Sequence, residues 1–120
     1  MESFENLHAW KEAHKLVLMV YKETKSFPSE ERYRLIDQLC RSSSSIAANL
    51  AEGNARTSKK EYLQFINQAK GSLEETKYHL LLARDLNYFS DTIYEILIEQ
   101  THVIGRLLSG LQKYFKSHIS

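Results

Sequence analysis

Cys40-Arg41-Ser42-Ser43-Ser44-Ser45-Ile46-Ala47-Ala48-Asn49-Leu50-Ala51-Glu52-Gly53 is a run of small residues at a place where a helical protein ordinarily puts leucine. Four consecutive serines are mediocre helix formers, and alone they read as a linker. The flanking pattern argues otherwise, because Ile36, Leu39, Ile46 and Leu50 keep a helical spacing straight through them. The stretch is therefore read as the middle of a helix. Its inward positions are Tyr33, Ile36, Leu39 or Cys40, Ser43, Ile46 or Ala47, and Leu50. Alanine and serine at such positions let a partner helix come nearer than leucine does. Ala48 is expected in that tight contact with the following helix.

This helix is expected over about residues 29–52. Pro28 suits a first turn, and Ser29, Glu30 and Glu31 supply a cap and acidic residues near the positive helix end. Gly53 sits where a glycine just beyond the helix stops it. Before it, a first helix is read over about 6–25, with Asn6 as N-cap. Leu7, Trp10, Ala13, Val17, Val20 and Tyr21 form its apolar face. The only proline, Pro28, separates the two by holding Phe27 out of helical angles.

After a short loop, Ser58-Lys59-Lys60-Glu61 matches a capping box. It opens a third helix over about 58–86, about 43 Å long at the standard rise. Its inward stripe is Tyr62, Phe65 or Ile66, Ala69, Ser72 or Leu73, Thr76, Leu80, Ala83 and Leu86. Ala69, Gly71 and Ser72 again place small residues mid-helix, opposite those of the second helix in an antiparallel hairpin. Asn87 suits a left-handed cap. Ser90 or Asp91 then begins a fourth helix over about 90–116. Short connections between long helices favour antiparallel neighbours. The fold class is thus all-α, an antiparallel up-down-up-down four-helix bundle forming a single domain over residues 1–120.

The fourth helix carries Ile93, Leu97, Ile104, Leu108, Leu111 and Phe115 on one side, and Ile96, Ile98, Val103 and Leu107 on a second. With Leu80, Leu81 and Leu82 this exceeds one core-facing stripe, which points to a subunit interface.

Sixteen Lys and Arg against fifteen Asp and Glu leave a net charge of +1, so there is no global attraction to nucleic acid or membrane. Any such affinity must come from a local patch. Cys40 is the single cysteine, which excludes an intramolecular disulfide and a cysteine metal cluster. No apolar run approaches the roughly 18 residues a membrane span needs, and the first residues lack a signal-peptide pattern. No membrane association is expected, and the expected compartment is the cytoplasm.

Catalytic signatures are weak. Glu-x-x-His occurs at Glu5–His8 and Glu99–His102, the pattern of a di-iron bundle. In this topology the two pairs lie roughly 28 Å apart along the axis, so they cannot share a metal. Glu75 and His79, four apart, read as a surface pair. No nucleophile elbow or phosphate loop is present. The expectation is a non-catalytic protein with no metal and no cofactor.

Two polar groups stand out. Asn49 lies beside the apolar stripe, and Glu52 lies near a helix C-terminus, where a carboxylate needs a cationic partner such as Arg41 or Arg56. Arg41, Asn49 and Glu52 are read as a structural polar network. Residues 54–87 carry six Lys or Arg against four acids. Arg56, Lys59 and Lys60 cluster in the loop between the second and third helices. Arg106, Lys113, Lys116 and His118 form an acid-free group. Either cluster can contact phosphates.

The order Leu7, Trp10, Ala13, Tyr21, Phe27-Pro28, Tyr33 and Arg41 is followed by Ser45-Ile46-Ala47-Ala48-Asn49-Leu50-Ala51-Glu52-Gly53 and Arg56. Lys60-Glu61-Tyr62, Phe65 and Ala69-Lys70-Gly71-Ser72-Leu73-Glu74-Glu75 come next. With these residues the chain resembles the bacterial four-helix bundle family of the 23S rRNA intervening-sequence proteins. That family includes relatives of the accessory protein of diversity-generating retroelements. The likeness covers nearly the whole chain, with Leu50 where the family commonly has Ile. It implies a homopentamer with a central channel. For one branch it implies binding to nucleic acid and to a reverse transcriptase. For the other, encoded inside rRNA genes, it points to RNA. The expected function is a non-catalytic homo-oligomeric module that binds RNA or a nucleoprotein partner through Arg56, Lys59, Lys60 and Lys70. The alternative is an oligomeric protein scaffold with no nucleic-acid role.

Overall fold

The computed structural model describes Ser3, Phe4 and residues 7–119. It contains four long helices: α1 (His8–Glu23), α2 (Leu35–Asn54), α3 (Lys59–Asp85) and α4 (Asp91–Ser117). Short 3-10 turns at Thr24–Ser26 and Ser29–Glu31 join α1 to α2. No strand occurs among the described residues. Each helix packs on two neighbours, α1 on α2 and α4, and α3 on α2 and α4. The result is an antiparallel four-helix bundle measuring 49 × 22 × 20 Å. The expected N-cap Asn6 and the acid Glu5 lie outside the described residues.

The core takes one stripe from each helix. Ala13, Leu16 and Val20 of α1 meet Leu39, Ile46 and Leu50 of α2, Ile66, Ala69 and Leu80 of α3, and Leu97, Ile104 and Leu108 of α4. The small residues of α2 and α3 do face one another. The Ser45 and Ser72 hydroxyls are 2.9 Å apart, and Thr76 Oγ1 donates to Ser42 Oγ at 2.9 Å. The serines stay helical because Ser42, Ser43 and Ser44 each donate to the carbonyl three residues earlier, which satisfies the hydroxyl without breaking the turn.

Three caps stand as the sequence reading has them. Ser58 Oγ accepts from the Glu61 amide, and Ser90 Oγ accepts from the Ile93 amide, both at 3.1 Å. Asn87 adopts φ 62° after α3, the one positive φ among the described non-glycine residues.

Other expectations are corrected. The α-helix expected from residue 29 begins at Leu35, because the backbone leaves helical angles at Arg34 (φ −119°, ψ −103°); the Glu31 carboxylate accepts from the Leu35 amide at 3.4 Å and from the Tyr88 hydroxyl at 2.7 Å. Tyr33 therefore lies in the turn before the helix and is 85% exposed, not inward. Gly53 does not stop α2. It lies inside the helix with ordinary φ, and a Cβ on it would stand 2.8 Å from Phe65 Cβ and 2.9 Å from Tyr62 Cδ1. It is glycine because two helices cross there without room for a methyl group. Ala48 is exposed, while its neighbour Ala47 is buried; one residue is 100° of helix rotation. On α1 Leu16 is buried in place of the expected Val17, which is half-buried, and Tyr21 is exposed. Leu86, expected at the end of the α3 stripe, is exposed as well.

Candidate nucleic-acid interface

Packing α3 against α4 joins two basic segments that are far apart in sequence. Residues 54–70 and 106–118 carry Arg56, Lys59, Lys60, Lys70, Arg106, Lys113 and Lys116 against a single acid, Glu61. Seven of the chain's sixteen cations are thus placed with one of its fifteen acids. Residues 84–99, in the other half of the same two helices, reverse the balance, with Asp85, Asp91, Glu95 and Glu99 against Arg84. The near-neutral net charge conceals an α3–α4 pair polarised along its length.

The contacts fix this arrangement. The Tyr62 and Phe115 rings meet at 4.7 Å, which sets the first turn of α3 beside the last turns of α4. Lys70 Nζ donates across to Gln112 Oε1 at 2.9 Å and to Ser109 Oγ at 3.4 Å. Gln112 Nε2 in turn donates to Asn67 Oδ1 at 2.6 Å. Lys70 and Arg106 line the same groove between the two helices, with Leu73 and Gly105 in its wall. Arg56 lies over the Phe65 ring, 4.9 Å from its centroid, a cation–π contact that holds the guanidinium without neutralising it.

None of Arg56, Lys59, Lys60, Lys70, Lys113 and Lys116 forms an ion pair among the described residues; Arg106 pairs with Glu99 at 3.7 Å. Lys59 and Lys60 sit in the first turn of a 27-residue helix, where the dipole adds positive potential to their own charge. Such unpaired like charges repel one another within a Debye length, and a bound polyanion relieves that repulsion.

The four residues expected to bind nucleic acid therefore share one half of the bundle but not one state. Arg56, Lys59 and Lys60 are exposed at the α2–α3 corner, whereas Lys70 is half-buried and pinned between helices. Arg106, Lys113 and Lys116, a separate cluster in the sequence, join them. Only the α3–α4 register shows that the two clusters are one.

The structure does not gather Arg41, Asn49 and Glu52 into a network. Arg41 lies 3.9 Å from Asp37 on the surface. Asn49 Nδ2 donates to the Ser45 carbonyl at 2.8 Å and to its hydroxyl at 3.1 Å. Glu52 is exposed with no ion-pair partner among the described residues, since Arg56 turns to Phe65.

Among the described residues no three His, Cys, Asp or Glu side chains are grouped to hold a metal ion. Glu99 and His102 form an exposed pair at 3.7 Å, and Glu75 and His79 a pair at 3.4 Å. Burial raises the Tyr62 phenol above its usual 10.0 and the Cys40 thiol above 9.0. Among the described residues, no helix is long and apolar enough to cross a membrane.

The sequence profile of the 23S rRNA-intervening sequence protein family matches residues 5–110. No curated protein matches the chain. A crystal structure of a protein of unknown function from the S23 ribosomal protein family of Bacteroides thetaiotaomicron is similar, with a TM-score of 0.81 and 24% identity. The match covers 88% of this chain and 98% of that one, and the likeness is one of fold.

Proposed function

The chain belongs to the 23S rRNA-intervening sequence protein family, and from that premise we propose that it is a non-catalytic, homo-oligomeric cytoplasmic module that binds RNA through the basic half of α3 and α4. The observation that carries this reading is the union of residues 54–70 and 106–118, with seven cations against one acid. Phosphate contacts of this kind are insensitive to base sequence and release counterions. The arrangement needs no catalytic group. In a ring of identically oriented copies the basic halves fall on one side and act together. A pentamer is the assembly proposed.

Binding of a fluorescently labelled structured RNA, followed by anisotropy over a salt series, tests this. The affinity is expected to fall linearly with salt on logarithmic axes. Failure to retain RNA at low ionic strength overturns the reading. Light scattering in line with gel filtration is expected to give a mass near five subunits.

A second reading, an oligomeric protein scaffold with no nucleic-acid role that binds through the α3 and α4 faces, is favoured by the exposure of Tyr78 and Ile96 on those helices. Side chains of this kind at a surface mark protein contacts when they form a continuous patch. A partner protein, of reverse transcriptase type or otherwise, that stays bound after nuclease treatment would support it.

A further inference from the structure

Among the exposed large apolar and aromatic side chains, Tyr114 alone falls inside the two basic segments. It is 49% exposed and is not one of the side chains packed on the core. Its ring is nevertheless held. It stacks on the His118 imidazole one turn later, with centroids 4.1 Å apart and planes 25° from parallel. It also meets Phe115 edge-on at 5.1 Å, and Phe115 is the residue that packs against Tyr62 of α3. The imidazole is fixed in turn. His118 Nδ1 lies 2.7 Å from the Tyr114 carbonyl oxygen. A carbonyl only accepts, so Nδ1 carries the proton. Ser117 Oγ stands 3.0 Å from the same nitrogen and donates to the same carbonyl at 2.9 Å. Lys113 is the adjacent residue in sequence, Lys116 lies on the opposite side of the helix from Tyr114, and no acid occurs from Arg106 to His118.

We infer that Tyr114 and His118 form a base-stacking platform, and that the RNA bound by the basic half is unpaired where it meets them, a single strand or an open loop. The inference rests on the RNA-binding reading above and adds the class of RNA to it. An exposed, pre-oriented aromatic face with Lys113 as its neighbour in the helix matches what an unstacked base and an adjoining phosphate present together. In a continuous duplex the bases are already stacked on each other and closed to a protein ring, so a duplex would use the cations and leave Tyr114 idle.

The test compares a labelled single-stranded RNA with a blunt two-stranded duplex that has no loop and an equal phosphate number, at one low salt concentration, against the unsubstituted protein and three variants. Tyr114→Ala is expected to weaken single-strand binding about tenfold and leave duplex binding unchanged. Tyr114→Phe is expected to keep both affinities, and His118→Ala to lose part of the single-strand affinity. The salt slope is expected to stay constant in Tyr114→Ala, because no phosphate contact is removed. Unchanged single-strand binding in Tyr114→Ala overturns the inference, as does an equal loss for strand and duplex, while salt-dependent binding itself would leave the basic interface intact. Retention of neither RNA by the unsubstituted protein overturns the interface and the platform together.

Discussion

Gly53 and Phe65 stand so close that a methyl group on the first would lie 2.8 Å from Cβ of the second. Both atoms belong to the helix crossing itself, not to a flexible side-chain end, so neither moves aside cheaply. Gly53→Ala is expected to destabilise the bundle by about 1–3 kcal/mol in chemical denaturation, as overpacking does. Gly71, in the middle of α3, has nothing within 4 Å of its notional Cβ. Gly71→Ala should therefore show the opposite sign, a gain of about 0.5–1 kcal/mol from helix propensity. Equal effects at the two positions would contradict the crossing.

Ala47 and Ala48 make a second matched pair. Ala47 is 8% exposed against the core, and Ala48 faces out. Ala47→Leu is expected to cost about 1–3 kcal/mol, and Ala48→Leu to stay within about 0.5 kcal/mol, as surface changes do. Melting temperatures of the two variants check the rotation of α2 directly.

Tyr62 supplies a pH prediction. Its buried hydroxyl has no hydrogen-bond partner among the described residues, and burial raises its pKa above 10.0. The folded state therefore favours the neutral phenol. That contribution is fully present below pH 10 and is lost as pH rises through the folded pKa. Cys40, also raised by burial, acts in the same direction from pH 9.0 upward. Stability is expected to decline on the alkaline side, and Tyr62→Phe to flatten the decline. At neutral pH the same substitution should raise stability by about 1 kcal/mol, because it removes an unsatisfied buried group. Urea melts at pH 7 and pH 10.5 read both effects.

The interface predicts a graded response to charge removal. Lys59→Ala, Lys60→Ala and Lys113→Ala should each weaken RNA binding and reduce the logarithmic salt slope by about 1. Arg32→Ala and Arg34→Ala, exposed in the turn before α2, should leave the slope unchanged. Anisotropy titrations at several salt concentrations measure all five.

How far these features were legible in the sequence follows from what kind of information each needed. The helices were readable because Ile36, Leu39, Ile46 and Leu50 keep their spacing through the serines, and Ser58, Ser90 and Asn87 carry local cap chemistry. The start of α2 was not, since the backbone leaves helical angles at Arg34 and Glu31 is held by Tyr88 from 57 positions away. Ala47 and Ala48 are chemically identical, so only packing distinguishes inside from outside. Gly53 looked like a helix stop because glycine serves equally for a left-handed turn and for close approach. The basic residues were visible one by one. Their convergence depends on the α3–α4 register, which no local pattern encodes. The aromatic seats of that surface, Phe65 under Arg56 and Tyr114 on His118, were concealed among residues that a periodicity reading assigns to the core or passes over.

The bond between Tyr88 and Glu31 has a consequence for how the molecule comes apart. Glu31 accepts from the Leu35 amide that opens α2, and Tyr88 sits in the corner between α3 and α4, so one carboxylate serves both hairpins at once. Fraying at the entrance of α2 frees the tyrosine, and opening of the corner uncaps the helix. The two hairpins are thereby coupled into a single unfolding unit at that end. Amide exchange at Leu35 and at Tyr88 should then proceed at matched rates, as one event and not two.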